Sequence, residues 1–228
     1  MVKRSRRIYL RKEKKFKRRR RIVFISVICI LVLASIAIYK IVDKNSVDFL
    51  TTLNRGSYSI KSLRKHQKEY EENLNIKALD FDLGEKIELG NKPEYLVYHH
   101  TASKSISAEE INKMHIEEGW KGMGYHFYIR TDGTIYKGRQ EQEVGAHAIG
   151  KNRNSIGICL EGNFEESSPS EEQVKSLVKL STDMIVKYNI KDVIGHKDTY
   201  NTLCPGENFD IDSIKEKVAN EIIKINEN

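Results

Sequence analysis

Three cysteines are all that the 228 residues contain, too few for the disulfide framework that small extracellular domains use in place of a large core. A basic surface on the body of the chain is also missing. Residues 1 to 21 hold 13 Lys or Arg against the single acid Glu13, which leaves 26 basic against 31 acidic residues in all that follows. The formal net charge of +7 therefore belongs to a tail. Binding nucleic acid requires cationic side chains on the folded part to displace counterions from phosphates, so that class of function is set aside. No internal repeat recurs at a period of about 20 to 50 residues, which excludes a solenoid or propeller.

What the sequence does have begins with one uncharged run. Residues 22–39, IVFISVICILVLASIAIY, contain no charged residue. As a helix they would extend roughly 27 Å, near the lower limit for crossing a bilayer. With the basic tail before them, this predicts a transmembrane helix with a cytoplasmic N-terminus and an extracytoplasmic body. The alternative is secretion after cleavage near Ala37, a small residue two positions beyond Ser35. The expected organisation is a basic tail at 1–21, the membrane helix at 22–39, a charged and partly helical stalk at 40–90, and a domain at 91–228. One membrane partner is implied, and the oligomeric state is left open.

From about residue 91 the pattern alternates between strand and helix. Strands are predicted at 95–100, 125–130, 134–139, 155–162 and 192–196. Asp132-Gly133 reads as a hairpin turn, since glycine supplies the positive φ that tight loops require. Helices are expected to start at Ser107, with Glu110 three residues on, and at Ser168, with Pro169 and Glu171 behind it. The second continues through an apolar stripe at Val174, Leu177, Val178, Ile185 and Tyr188. A last helix is predicted at about 210–225. This alternation gives an α/β fold with a central mixed sheet flanked by helices.

Chemistry gathers at the strand ends. In YLVYHHTAS, residues 95–103, strand alternation puts Tyr95, Val97 and His99 on one face and Leu96, Tyr98 and His100 on the other, so one histidine of the pair can enter a given site. Downstream, GHKDTYNTLCPG carries His196 and Cys204 with seven residues between them. Cys159 suits a buried strand position, whereas Cys204, beside Pro205 and Gly206, has no packing reason to be there. With His99 these give two imidazoles and one thiolate, a donor set that zinc accepts. Three protein ligands are the number found in catalytic zinc sites, one short of a closed structural site unless His100 or Asp198 joins.

Four ordered blocks, YLVYHHTAS, GWKGMGYHFYIRTDGTIYKGR, VGAHAIGKNRNSIGICLEGNF and GHKDTYNTLCPG, resemble the type 2 N-acetylmuramoyl-L-alanine amidases, a family that includes phage lysozyme-type amidases and animal peptidoglycan recognition proteins. The resemblance covers about residues 91–210. It implies a Zn2+-dependent hydrolase that cuts the amide between the lactyl group of N-acetylmuramic acid and L-alanine in peptidoglycan. Matched residue by residue, it implies His99, His196 and Cys204 as metal ligands, Tyr125 as a catalytic phenol, and His147 and Trp120 as substrate contacts. Thr202 stands where phage members usually carry Lys, so a hydroxyl replaces a fixed charge in the catalytic set. Glu161 is a candidate general base, weakened by sharing a face with Cys159; His126 and His115 read as structural or surface residues. The alternative function is a recognition module that binds peptidoglycan without cutting it.

Overall fold

The computed structural model of the protein describes residues 70–72, 74–79 and 86–227, all within the unit Phe49–Asn228. Six strands form one sheet: β1 (Ile76–Lys77), β2 (Tyr95–His100), β3 (Phe127–Ile129), β4 (Ile135–Lys137), β5 (Ser155–Leu160) and β6 (Asp192–Gly195). Their order is β1-β4-β3-β5-β2-β6. Among these strand pairs of the described residues only β3–β4 is antiparallel, through the Asp132-Gly133 hairpin. Gly133 sits at φ +81° and the Asp132 carboxylate accepts the Thr134 N–H at 2.9 Å. The sheet is therefore mixed, as the sequence predicts. One strand is additional. Ile76–Lys77, inside the stretch read as stalk, pairs in parallel with Ile135 and Tyr136 of β4, and Ile76 packs against the main core.

Helices α1 (Ala108–Glu117), α2 (Glu171–Tyr188) and α3 (Ile211–Glu227) cover the sheet. The Ser107 and Glu110 capping box closes the start of α1 from both directions. For α2 the cap is Ser170 with Gln173, two residues beyond the expected Ser168. The reason is tertiary: the Ser170 hydroxyl donates to the Thr131 carbonyl at 2.7 Å and the Gln173 amide to the Glu161 carbonyl at 2.7 Å, tying the helix start to the sheet. Strand alternation then divides the interior in two. Leu96, Tyr98, Phe127, Ile129, Ile156, Ile158 and Leu160 meet α2 and α3 in the main core. On the opposite face Tyr128 and Cys159 pack against Ala108 and Ile111 of α1 in a smaller cluster, and that thinner side carries the site.

The expected transmembrane helix is not supported. Among the described residues no helix is long and apolar enough to cross a membrane, and residues 22–39 lie outside that set. The two longest described helices, α2 and α3, interrupt their apolar stripes with Lys and Glu, and such charges are costly in hydrocarbon. The membrane partner and the single-pass localisation inferred from that helix are withdrawn with it.

Candidate metal centre

The carboxyl ends of β2 and β6 meet where the site forms, as ligand sites do in open parallel sheets. Tyr98 is in register with Gly195, so His99, one step on in β2, arrives beside His196, the first residue after β6. Cys204 returns to them on the loop leading to α3, held by the Lys197 N–H donating to its carbonyl at 2.7 Å. The ligand atoms of His99, His196 and Cys204 all lie within 4.8 Å of one another. His99 Nδ1 is 3.7 Å from Cys204 Sγ, and the His99 and His196 rings are 4.6 Å apart. His100 turns to the other face, where its Nδ1 accepts the Phe164 N–H at 3.1 Å. Its backbone still serves the site, for His100 N–H points at Cys204 Sγ at 3.4 Å.

These three side chains fit a metal ion by their protonation as well as by position. Burial, with smaller effects from His196 and His100, pushes the His99 pKa well below its usual 6.5, and burial lowers that of His196 too. Both imidazoles are thus neutral and carry lone pairs. Burial raises the Cys204 thiol to about 11, partly offset by the His100 N–H. Such a thiol ionises when a cation compensates for the proton it loses. Two nitrogens and one soft sulfur are a donor set suited to Zn2+.

Tyr125 lies beside them, its ring 5.1 Å from that of His99. Burial, then the neighbouring Cys159 and Cys204, raise its phenol well above 10, so it remains a hydrogen-bond donor. The loop leading to it is clamped from α1 and from the segment just after β4. Asn112 Oδ1 accepts the Met123 N–H at 2.7 Å, His115 Nδ1 accepts the Gly124 N–H at 3.0 Å, and Arg139 Nε donates to the Met123 carbonyl at 2.7 Å.

The family model for N-acetylmuramoyl-L-alanine amidase matches residues 89–207. The chain belongs to that family. It is 36% identical over 138 residues to the endolysin of Enterobacteria phage T3, covering 57% of this chain and 89% of that protein. It is 33% identical over 136 residues to peptidoglycan-recognition protein SC2 of Drosophila melanogaster, covering 54% and 74%. Among solved structures, the endolysine N-acetylmuramoyl-L-alanine amidase LysCS from Clostridium intestinale URNW superposes with a TM-score of 0.61 at 43% identity, over 63% of this chain and 94% of that one.

The other residues singled out in this amidase-family sequence fall in different places. Thr202 Oγ1 accepts the Cys204 N–H at 3.2 Å, which leaves its own proton to donate. Trp120 is 39% exposed and its ring lies 4.4 Å from that of His115. His147, expected to line the cleft as a substrate contact, is 6% exposed, and its Nδ1 lies 3.0 Å from His99 Nε2. Glu161 is fully engaged as a structural anchor, accepting from Arg130, Thr131 and Ile106 at 2.9 to 3.2 Å. Tyr200, which the sequence reading passed over, is 53% exposed and stacks on His196 with 6.3 Å between ring centres. Its place four residues after His196 in the same loop was the available signal.

Proposed function

We propose that this protein is a zinc-dependent amidase that hydrolyses the bond between the lactyl group of N-acetylmuramic acid and L-alanine in peptidoglycan. The observation that carries the reading is the convergence of His99, His196 and Cys204 within 4.8 Å in a chain of the amidase family. The names of the phage and Clostridium relatives support a lytic amide hydrolase, and the Drosophila relative's name supports peptidoglycan as the polymer engaged.

His99, His196 and Cys204 are the residues that would hold the ion, which supplies Lewis-acid chemistry, activating water and polarising the amide carbonyl. The chain's own groups do the rest. As the carbonyl carbon becomes tetrahedral its oxygen gains negative charge, and the Tyr125 hydroxyl, kept protonated by burial, donates to that charge; when the C–N bond then breaks, the amine of L-alanine leaves with the proton given up by the attacking water. Thr202, whose Oγ1 accepts the Cys204 N–H, contributes a second, neutral donor. Trp120 and Tyr200 present aromatic faces at the rim, suited to stacking on the apolar faces of a sugar and its stem peptide. The presence of Cys204 favours this reading over a recognition module without catalysis.

The test is direct. Purified protein is assayed for bound zinc and for new L-alanine amino termini released from peptidoglycan. Stoichiometric zinc with activity abolished by chelation and restored by Zn2+ is expected; full activity in rigorously metal-free protein would overturn the reading.

A further inference from the structure

His147 has no role in the chemistry just described, yet its imidazole is closely enclosed beside the site. Two glycines make its slot. A Cβ at Gly157 would stand 2.5 Å from His147 Cγ, and one at Gly145 would stand 2.5 Å from its Cδ2. The segment is fixed from outside by Asn152, whose Oδ1 accepts the N–H groups of His147 and Ala148 at 2.8 and 2.9 Å. The ring therefore has one position, and its two nitrogens meet two defined partners: Nε2 lies 3.3 Å from Ser155 Oγ, and Nδ1 lies 3.0 Å from His99 Nε2.

Counting protons along this line fixes every tautomer in it. A hydroxyl has one proton to give. That of Ser155 goes to the Lys151 carbonyl at 2.7 Å, so at its other contact Ser155 Oγ accepts, and the proton between them sits on His147 Nε2. The Nδ1 of a neutral His147 is then an acceptor. It takes the proton of His99 Nε2, and the remaining nitrogen of His99, Nδ1, is left with its lone pair on the side of Cys204 Sγ, 3.7 Å away. We propose that Ser155 and His147 are positioning residues, a buried hydrogen-bond relay that locks His99 in the tautomer and rotation in which Nδ1 is the ligating atom.

The inference rests on the metal-centre reading above and deepens it. The nitrogen of a ligating histidine is chosen by the hydrogen bond its other nitrogen makes. A carbonyl or carboxylate usually makes that bond; here a second histidine does, and a second histidine can serve only if its own tautomer is fixed in turn. Ser155 supplies that, from a fully buried position at the first residue of β5, with Lys151 as the end of the line.

The experiment uses the full chain and Zn2+ alone as probe. Zinc dissociation constants are measured by competition with a chromophoric chelator for the parent, Ser155→Ala, His147→Leu and His147→Asn, and imidazole 15N spectra are recorded on metal-free and zinc-loaded protein. Ser155→Ala, which removes a single oxygen, is expected to raise the dissociation constant by about 10- to 100-fold, the usual worth of an outer-sphere partner. His147→Leu should lose at least as much, while His147→Asn, whose amide oxygen can accept from His99, should recover most of the loss. The 15N spectra of the metal-free parent should show the proton of both His99 and His147 on Nε2. Thermal melting of each metal-free variant separates lost affinity from lost fold. Parental affinity in both Ser155→Ala and His147→Leu, or a His99 proton found on Nδ1, overturns the relay while leaving the metal centre standing. A parent that binds no zinc overturns the metal centre and the relay's purpose with it.

Discussion

His99 Nδ1 lies 3.7 Å from Cys204 Sγ across 105 residues of sequence. A histidine at a strand end and a thiol in a loop have no local reason to meet, and the loop that carries Cys204 is tied back to the 3-10 turn after β6 at Lys197. The contact is what the arrangement of β2 beside β6 produces. Replacing Cys204 with Ser keeps the volume and removes the soft donor. Zinc affinity should fall by more than the ~10- to 100-fold that an outer partner is worth, with peptidoglycan cleavage falling in parallel. Metal analysis after dialysis against chelator checks it: a Cys204→Ser protein that retained stoichiometric zinc would remove the sulfur from the ligand set.

Tyr125 and Thr202 make separable predictions. The Tyr125 ring lies 5.1 Å from that of His99 but the residue is not among the metal ligands, so Tyr125→Phe should keep parental zinc content while kcat drops about 100- to 1,000-fold, the cost of one oxyanion donor. KM should change little, because the lost hydrogen bond strengthens only as charge develops. Thr202→Val removes a neutral donor that also receives the Cys204 N–H, so its loss of kcat should come with weaker zinc binding. Steady-state kinetics with metal content measured on the same samples distinguishes the two patterns.

The sequence made the strand positions and the converging donors legible because both follow local rules. Period-two alternation separates His99 from His100, a Gly in the turn marks the hairpin, and Ser107 with Glu110 marks a helix start. What stayed hidden depends on contacts distant in the chain. Ile76–Lys77 is too short and too charged in its surroundings to signal a strand, and it becomes one by pairing with β4. Ser168 and Ser170 offer similar caps, and Thr131 and Glu161 decide between them. Nothing near His147 tells that its ring is enclosed by Gly145 and Gly157 under His99; the alternation of GAHA describes a loop. The apolar run at 22–39 carried a membrane reading that no described helix supports.

The glycine slot gives a prediction on stability. An alanine Cβ at Gly157 would overlap the His147 ring, which has Gly145 on its other side and His99 ahead of it. Gly157 lies mid-strand in β5, opposite Val97, so the backbone has little room to retreat. Gly157→Ala should therefore destabilise the metal-free protein by about 1–3 kcal/mol, the usual range for overpacking, although alanine suits a strand better than glycine does. Urea unfolding measures it, and a variant as stable as the parent would mean that the slot is slack.

Glu141 supplies the pH dependence. Its side chain is 5% exposed, and burial alone would raise its pKa; hydrogen bonds from Tyr188, Lys137 and Lys187 outweigh burial and hold it at about 2, below the ordinary 4.5. Both lysine contacts are 2.9 Å, and the group joins β4 to α2. Because the folded pKa is the lower one, the folded state binds fewer protons than the unfolded state between these values. The stabilisation is fully present above about pH 4.5 and is lost as pH falls through about 2. Glu141→Gln keeps an oxygen that can accept from Tyr188 or a lysine but loses the charge. It should cost about 1–3 kcal/mol at pH 7, the range for a buried hydrogen-bonding group deprived of its partner. Unfolding of parent and variant at pH 7, 5, 4 and 3 is the measurement. The gap should hold from pH 7 to 5 and narrow at 4 and 3; a gap that stayed constant down to pH 3 would mean that the carboxylate charge contributes nothing and packing carries the whole difference.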